Sequence, residues 1–261
     1  MGVELVCPSC GKGRIEIGDL TASCGKCEAL YDAKNGVPDL APSLVIRPGV
    51  AQRFMQAAWV VSIYESRLWR KGPAFSCLAG IDFDSEFRAV LESAAPLPDS
   101  RILDIACGSG LYTRPLAVKV PRGSVVGLDL SRPMLSYAAK RAKTEGLSNV
   151  SFVRASALAL PFADASFDAV NLCGALHLFP DPALAVSEAG RVLATGGRFT
   201  VAAVGEGGGI IPAVQSAIAS LMGIRSFTRD QLSVMFRSAG FSDVRPILET
   251  PRWIVMRGIK A

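Results

Sequence analysis

The sequence predicts an α/β fold in which a parallel sheet follows a small cysteine-rich module and a helical segment. Three observations support this prediction. From residue 101 onward, short apolar runs alternate with stretches of helical periodicity, as in strand–helix–strand units. Four cysteines stand in two close pairs near the start of the chain. The chain has 261 residues, of which 50% are hydrophobic, so it can bury a sizeable core.

The cysteine-rich module comes first. Cys7 with Cys10 and Cys24 with Cys27 form two Cys-x-x-Cys pairs separated by 13 residues. Each pair has a neighbouring glycine, which permits the tight turn that a tetrahedral thiolate site requires. We interpret residues 1–46 as a zinc ribbon with one structural Zn²⁺. Two disulfides or four unrelated buried thiols are the alternatives, and the paired spacing disfavours both.

A helical segment follows the ribbon. Residues 47–97 carry apolar side chains at three-and-four spacing, which predicts a helical cap. Helices that precede the first strand of such a sheet commonly cover the substrate pocket. Tyr64, Trp69 and Arg70 are therefore candidate pocket residues, with ordinary core packing as the alternative.

The third region, residues 98–261, begins with a strand and a glycine-rich turn. An apolar run over 101–106 contains Asp104 and predicts a buried strand. Gly108 and Gly110 then let the backbone turn tightly and approach a ligand. This arrangement predicts a nucleoside site at the end of a parallel strand.

A second acidic residue indicates which class of ligand binds at this turn. The next apolar run, 124–129, ends on Asp129, about 20 residues beyond the turn, where nucleotide-binding folds place the acid that holds ribose hydroxyls. A dinucleotide fingerprint would have its third glycine where this chain has Thr113. The pattern therefore indicates a nucleoside cofactor that is not a dinucleotide.

The alternation of strand and helix continues to the C-terminus. Ser131 and Thr228 stand at predicted helix N-caps, and Thr228 has Gln231 three residues later as in a capping box. Strands are predicted at 150–154, 167–172 and 197–204, further apolar segments at 243–248 and 252–258, and helices at 111–120, 131–145, 181–193, 211–221 and 228–239.

One residue is a candidate for proton transfer. His177 is the only histidine in the chain, and it follows the strand predicted at 167–172. That is the carboxyl edge of the sheet, where α/β proteins bind ligands. An imidazole titrates near neutrality and suits a general base. The alternative is that His177 orients its loop or shapes the pocket.

Five motifs of the chain occur in an order and spacing that resembles a known family. They are Asp104-x-Ala-Cys-Gly-Ser-Gly110, Gly127-Leu-Asp-Leu-Ser131, Ala159-Leu-Pro-Phe162, Ser166-Phe-Asp-Ala-Val170 and Glu188-Ala-Gly-Arg-Val-Leu-Ala-Thr-Gly-Gly197. The resemblance is to the class I S-adenosylmethionine (SAM)-dependent methyltransferases, in the group that includes the menaquinone and ubiquinone methyltransferases. It implies a Rossmann-like, seven-stranded, mostly parallel sheet with helices on both faces. Together with the cysteine pairs, the chain looks like the zinc-ribbon methyltransferases of plant plastids and bacteria.

The resemblance also implies where SAM binds, with two departures from the family pattern. Ala106 stands at the first glycine of the motif, which suits a slightly wider turn. Ser156 replaces the acid that often faces the adenine, so we expect Ser156 and the Ala157 backbone to hold this base. The implied cofactor residues are Asp104, Ala106, Gly108, Gly110, Asp129, Leu130, Ser156, Ala157 and Asn171.

Charge bears on the substrate class. The net charge is +5, but residues 1–49 carry five basic and six acidic side chains, and zinc-bound thiolates would make the ribbon still more negative. Such a ribbon is a poor clamp for a phosphate backbone. The predicted function is therefore methyl transfer from SAM to a small, hydrophobic metabolite. Two alternatives remain open: an RNA base methyltransferase, because ribosomal RNA guanine methyltransferases also carry a zinc-binding N-terminal module, and a zinc-ribbon interaction protein whose SAM-binding fold is not catalytic.

Location follows from the absence of membrane and secretion signals. No apolar run of the sequence is long enough to span a bilayer, and the N-terminus has no basic lead-in to an apolar core. We expect a cytoplasmic protein with a small-molecule acceptor and no membrane span. The sequence indicates no particular oligomeric state.

Overall fold

The structure is a computed structural model that describes residues 3–41, 72–207 and 224–261. Several predictions fall outside these residues. They concern the helix at 211–221, residues 47–71 of the helical cap, and the three candidate pocket residues Tyr64, Trp69 and Arg70.

The N-terminal residues form a three-stranded antiparallel sheet in the order β1-β2-β3. Strands this short cannot bury a core by themselves. Their inward side chains, such as Ile15 and Ala22, instead join the same apolar cluster as Leu103 and Val170 of the larger sheet. The ribbon is therefore packed onto the rest of the protein. Its strands are β1 (Ile15–Ile17), β2 (Thr21–Cys24) and β3 (Leu30–Asp32).

The main sheet has seven strands, which confirms the predicted fold class. They are β4 (Arg101–Ile105), β5 (Ser124–Asp129), β6 (Val150–Arg154), β7 (Phe167–Cys173), β8 (Leu193–Val204), β9 (Phe241–Thr250) and β10 (Trp253–Lys260). Their order is β6-β5-β4-β7-β8-β10-β9, and β10 runs antiparallel to both of its neighbours while the first five strands are parallel. Strand β8 begins four residues before the predicted start at 197, because it follows the preceding helix directly.

Six α-helices lie in the described part of the chain, and four of them begin at a side-chain cap. Asp82, Ser131, Asp181 and Thr228 each accept a hydrogen bond from a backbone N–H of the first turn. Thr228 and Gln231 form the predicted capping box. Within the described residues, none of the helices is long and apolar enough to cross a membrane. The helices are α1 (Pro73–Ala79), α2 (Phe83–Ala94), α3 (Thr113–Lys119), α4 (Arg132–Thr144), α5 (Pro182–Val192) and α6 (Arg229–Ser238).

Helices cover both faces of the main sheet. In β4, Ile102 packs with side chains of α2 and α3, whereas the adjacent Leu103 packs in the cluster that contains residues of α5 and α6. Both side chains are fully buried, which explains why the strand is apolar without alternation. The carboxyl ends of β4 to β7 meet at one edge, and the loops that follow them form the candidate site.

Candidate functional site

The glycine turn after β4 has an unusual backbone. Ala106, Gly108 and Gly110 all have positive φ, at 54°, 53° and 79°. For Ala106 this left-handed conformation costs about 1 kcal/mol, which the surrounding hydrogen bonds must offset. One of them joins the N–H of Cys107 to the carbonyl of Leu128 at 3.0 Å. A Cβ at Gly108 would meet no atom within 4 Å, so the turn faces open space where a ligand can approach the backbone.

Asp104 lies directly beneath this turn and is almost completely buried. The hydroxyl of Thr113 donates a hydrogen bond to its Oδ2 at 2.5 Å. The threonine at the position of the third glycine in the dinucleotide fingerprint therefore holds the buried carboxylate. Burial raises the pKa of Asp104 to about 7, against the effect of Thr113 and with a contribution from the negative charge of Asp129. A positively charged ligand at this site would favour the ionised carboxylate.

Asp129 ends β5 and connects the two loops that follow β4 and β5. Its Oδ2 accepts the N–H of Gly108 at 2.8 Å, and its Oδ1 accepts the N–H of Ser131 at 2.8 Å. Burial raises the pKa of Asp129, although these N–H groups, that of Leu130 and the charge of Arg154 act in the opposite direction. A carboxylate offers about four acceptor positions, so Asp129 can still accept ribose hydroxyls.

Asn171 brings an unsatisfied amide to the same site. It is fully buried and stands opposite Asp104 in the register of β4 and β7, on the same face of the sheet. Within the described residues, neither its amide nitrogen nor its amide oxygen has a hydrogen-bond partner. Buried unsatisfied groups are uncommon and destabilising, so this amide is well placed to serve a ligand.

Ser156 and Ala157 follow β6 at the same edge of the sheet. The Ser156 hydroxyl accepts the N–H of Leu158 at 3.2 Å, so the side chain caps its own turn and retains its proton as a donor. Ala157 is buried next to it. The nine residues for which cofactor contacts are predicted thus lie in β4, β5 and β7 or on the loops that follow β4, β5 and β6.

His177 lies in a short 3₁₀ helix, Leu176–Leu178, after β7. Its ring is buried and approaches the ring of Trp253 edge-on, with 6.1 Å between centroids. The indole N–H of Trp253 donates to Glu86 at 3.1 Å, and Glu86 is a fully buried carboxylate of α2. Sequence reasoning missed both of these residues. The available signal was a glutamate on the apolar face of an amphipathic helix.

The four predicted zinc ligands form a separate cluster. The sulfur atoms of Cys7, Cys10, Cys24 and Cys27 all lie within 4.8 Å of one another. Two of the separations are 3.7 Å, for Cys7 to Cys27, and 3.8 Å, for Cys10 to Cys24. A tetrahedral site with Zn–S bonds of about 2.3 Å has S–S edges of about 3.8 Å. The geometry therefore fits Zn²⁺, and no disulfide joins these cysteines, all of which are free thiols.

Hydrogen bonds favour thiolate in part of this cluster. Burial acts to raise the pKa of Cys7, but the Tyr31 hydroxyl, 3.0 Å from its sulfur, and backbone N–H groups outweigh burial and lower this pKa to about 6. The N–H of Ala29 acts to lower the pKa of Cys27, yet the neighbouring Cys24 and burial raise it to about 12. The Cys7 and Cys27 thiols therefore differ strongly in pKa.

Comparison with known proteins agrees with the fold. A family model described as a methyltransferase domain matches residues 102–197. The chain is 33% identical over 170 residues to a demethylmenaquinone methyltransferase of Geobacillus stearothermophilus. The match covers 55% of this chain and 71% of that protein. It is 42% identical over 114 residues to a demethylmenaquinone methyltransferase of Thermus thermophilus, covering 44% of this chain and 51% of the relative.

A plant relative matches more of the chain. It is an uncharacterized chloroplastic methyltransferase of Arabidopsis thaliana, 32% identical over 186 residues, which are 67% of this chain and 52% of the relative. The chain thus spans about half the length of the Arabidopsis and Thermus proteins.

Solved structures show the same fold. The phosphoethanolamine N-methyltransferase 2 of Haemonchus contortus in complex with SAM superposes with a TM-score of 0.69 at 19% identity, over 85% of this chain and 61% of the other. A SAM-dependent methyltransferase from Aquifex aeolicus superposes with a TM-score of 0.59 at 18% identity, over 78% of this chain and 99% of the other. With the sequence relatives and the geometry above, the conclusion is plain: the chain belongs to the class I SAM-dependent methyltransferases.

Proposed function

We propose that this protein transfers a methyl group from SAM to a small, hydrophobic metabolite. The observation that carries the proposal is the meeting of Asp104, Asp129 and Asn171 at the open glycine turn. Two carboxylates and an unsatisfied buried amide suit a ligand that carries hydroxyl groups and positive charge.

SAM, when bound, supplies a methyl group on a positively charged sulfonium. Asp129 would accept the ribose hydroxyls, and the backbone around Gly108 and Gly110 would lie against the ligand because no side chain intervenes. Asp104 and Asn171, on one face of the sheet, would form hydrogen bonds with the polar amino-acid portion of SAM. The Asp104 carboxylate would also balance the positive charge of SAM. The remaining contacts are proposed for the backbone at Ala106 and Leu130 and, around the adenine, for Ser156 and Ala157.

His177 is the proposed general base. It would take a proton from an acceptor hydroxyl or acidic carbon as the nucleophile attacks. The ring of Trp253, with 6.1 Å between the two ring centroids, would offer an apolar surface beside it, which supports a hydrophobic acceptor. Two of the relatives are named demethylmenaquinone methyltransferases, and this agrees with an acceptor of that general class. Tyr64, Trp69 and Arg70 stay predictions as pocket residues.

The cysteine cluster is proposed to hold one structural Zn²⁺. Four thiolates leave no open coordination position, so the metal would stabilise the ribbon and take no part in methyl transfer. The purified protein should then contain about one equivalent of zinc, and metal-free protein with a folded ribbon would contradict this assignment. Cytoplasmic residence also stays a prediction, because the name of the Arabidopsis relative places that protein in the chloroplast.

The cofactor site is tested by Asp129→Ala. Loss of the charge-assisted contacts to ribose should weaken SAM binding by about 2 kcal/mol, which is more than tenfold. Asp168→Ala is the matched control, because Asp168 is the second residue of β7 and lies at the opposite edge of the sheet, where it binds Arg101 at 3.0 Å. Calorimetry should show normal SAM affinity for the control. Unchanged affinity in Asp129→Ala, or tighter binding of NAD than of SAM, would refute the assignment.

A further inference from the structure

The segment that leaves the ribbon extends the edge of the main sheet. Asp39 forms a parallel bridge with Arg154 at the end of β6. The Leu40 N–H donates to the Arg154 carbonyl at 2.7 Å, and the Arg154 N–H donates to the Pro38 carbonyl at 2.9 Å. Because β6 is the outermost strand on this side, the ribbon segment covers its otherwise open edge. Asp39 is thereby held at a fixed position beside β6.

The side chain of Asp39 binds two arginines. Nη1 of Arg154 donates to both of its carboxylate oxygens, at 2.8 and 2.9 Å. Arg132, the first residue of α4, also forms an ion pair with Asp39. The Asp39 side chain is only 11% exposed and that of Arg154 is 22% exposed. Charge-assisted hydrogen bonds shielded in this way are stronger than ordinary surface ion pairs.

Both arginines contact or directly adjoin the residues around Asp129. The Nε of Arg154 donates to the carbonyl of Leu130 at 2.8 Å, and Arg154 stands opposite Asp129 in the register of β5 and β6. Arg132 directly follows Ser131, whose N–H holds Oδ1 of Asp129. The contacts of Asp39 therefore converge on the backbone directly after Asp129, the proposed ribose ligand.

We propose that Asp39 is a positioning residue for the cofactor site. Through Arg154 and Arg132, Asp39 fixes the end of β5 and so orients the Asp129 carboxylate toward the ribose. The inference rests on the proposed function, because it concerns the same site. It assigns to the ribbon a role in cofactor affinity, in addition to its own stability.

The contrasting possibility is that Asp39 only attaches the ribbon to the sheet. In that case its loss would lower thermal stability without a specific effect on the cofactor. The two possibilities differ in one respect. If Asp39 acts through Asp129, its effect on affinity must disappear once the Asp129 carboxylate is absent.

The experiment measures binding of S-adenosylhomocysteine by calorimetry to the full chain and to Asp39→Asn, Asp129→Ala and the double variant. Asp39→Asn alone should weaken binding about fivefold, the lower end of typical coupling between sites. In the Asp129→Ala background it should have no further effect. Asp168→Asn, which breaks a more exposed ion pair with Arg101 at the far edge, should bind normally.

The possible results distinguish the positioning role of Asp39 from failure of the proposed function. Wild-type affinity in Asp39→Asn, or the same fivefold loss in the Asp129→Ala background, would overturn the positioning role. A wild-type protein that does not bind S-adenosylhomocysteine would instead overturn the proposed function. If Asp39→Asn does not fold, Arg132→Gln replaces it. Arg132 is half-exposed, so this variant should keep its melting temperature and still bind more weakly, whereas unchanged binding would overturn the inference.

Discussion

The substitution Gly13→Ala tests the geometry of the cysteine cluster without removing a cysteine. A Cβ at this position would lie 2.1 Å from the sulfur of Cys24 and 3.0 Å from Cβ of Lys26. Ordinary contacts of a Cβ begin near 3.4 Å. The Cys24 sulfur would have to move by more than 1 Å, whereas metal–ligand distances tolerate only about 0.2 Å.

The size of the effect follows from this displacement. Altering a group that merely orients a metal ligand costs about 10- to 100-fold in affinity, and displacing the ligand itself costs more. We therefore expect Gly13→Ala to bind zinc at least about 100-fold more weakly than the wild type. Structural zinc stabilises small metal-binding modules, so the ribbon should also melt at a lower temperature.

Gly25→Ala provides the matched control on the second cysteine pair. Its Cβ would have only Glu16 Oε1 nearby, at 3.8 Å, which is ordinary contact. Competition with a chelator, followed by metal analysis, measures zinc affinity in both variants. Wild-type affinity in Gly13→Ala would refute the reasoning from the sulfur positions. Equal loss in both variants would refute it as well, since Gly25 has room for the methyl group.

Two further predictions concern groups at the carboxyl edge of the sheet. If His177 removes a proton, His177→Ala should keep SAM affinity, lower the methyl-transfer rate by about 10²-fold or more and flatten the acidic limb of the pH–rate profile. A raised acceptor KM with an intact acidic limb would assign it to pocket shape instead. Asp104 has a pKa of about 7 in the folded protein and 3.8 as its ordinary value, so its contribution to stability is complete below pH 4 and is lost as the pH rises through 7. The loss amounts to at most about 4 kcal/mol. Asp104→Asn should remove this pH dependence from denaturant unfolding of the cofactor-free protein, and an unchanged dependence would show that another group is responsible.

The features that sequence predicted well are local ones. The apolar runs of β4 and β5, the caps at Ser131 and Thr228 and the two cysteine pairs each depend on residues only a few positions apart. Such patterns report directly on backbone preference and burial. The boundary of β8 was less accurate, because no loop residue separates this strand from α5 and the local pattern has no break there.

The tertiary structure decided the contacts between distant residues. Glu86 binds Trp253 across 167 positions, and Asp39 binds Arg154 across 115. No local pattern encodes such pairs, since they depend on the order of the strands and on which helix covers which face. The sequence by itself therefore determined the elements, the cysteine pairs and the two acids at the strand ends. Only the folded chain showed that the segment after the ribbon places the Asp39 carboxylate near the end of β5. The reason is that the order of the strands determines which distant residues become neighbours.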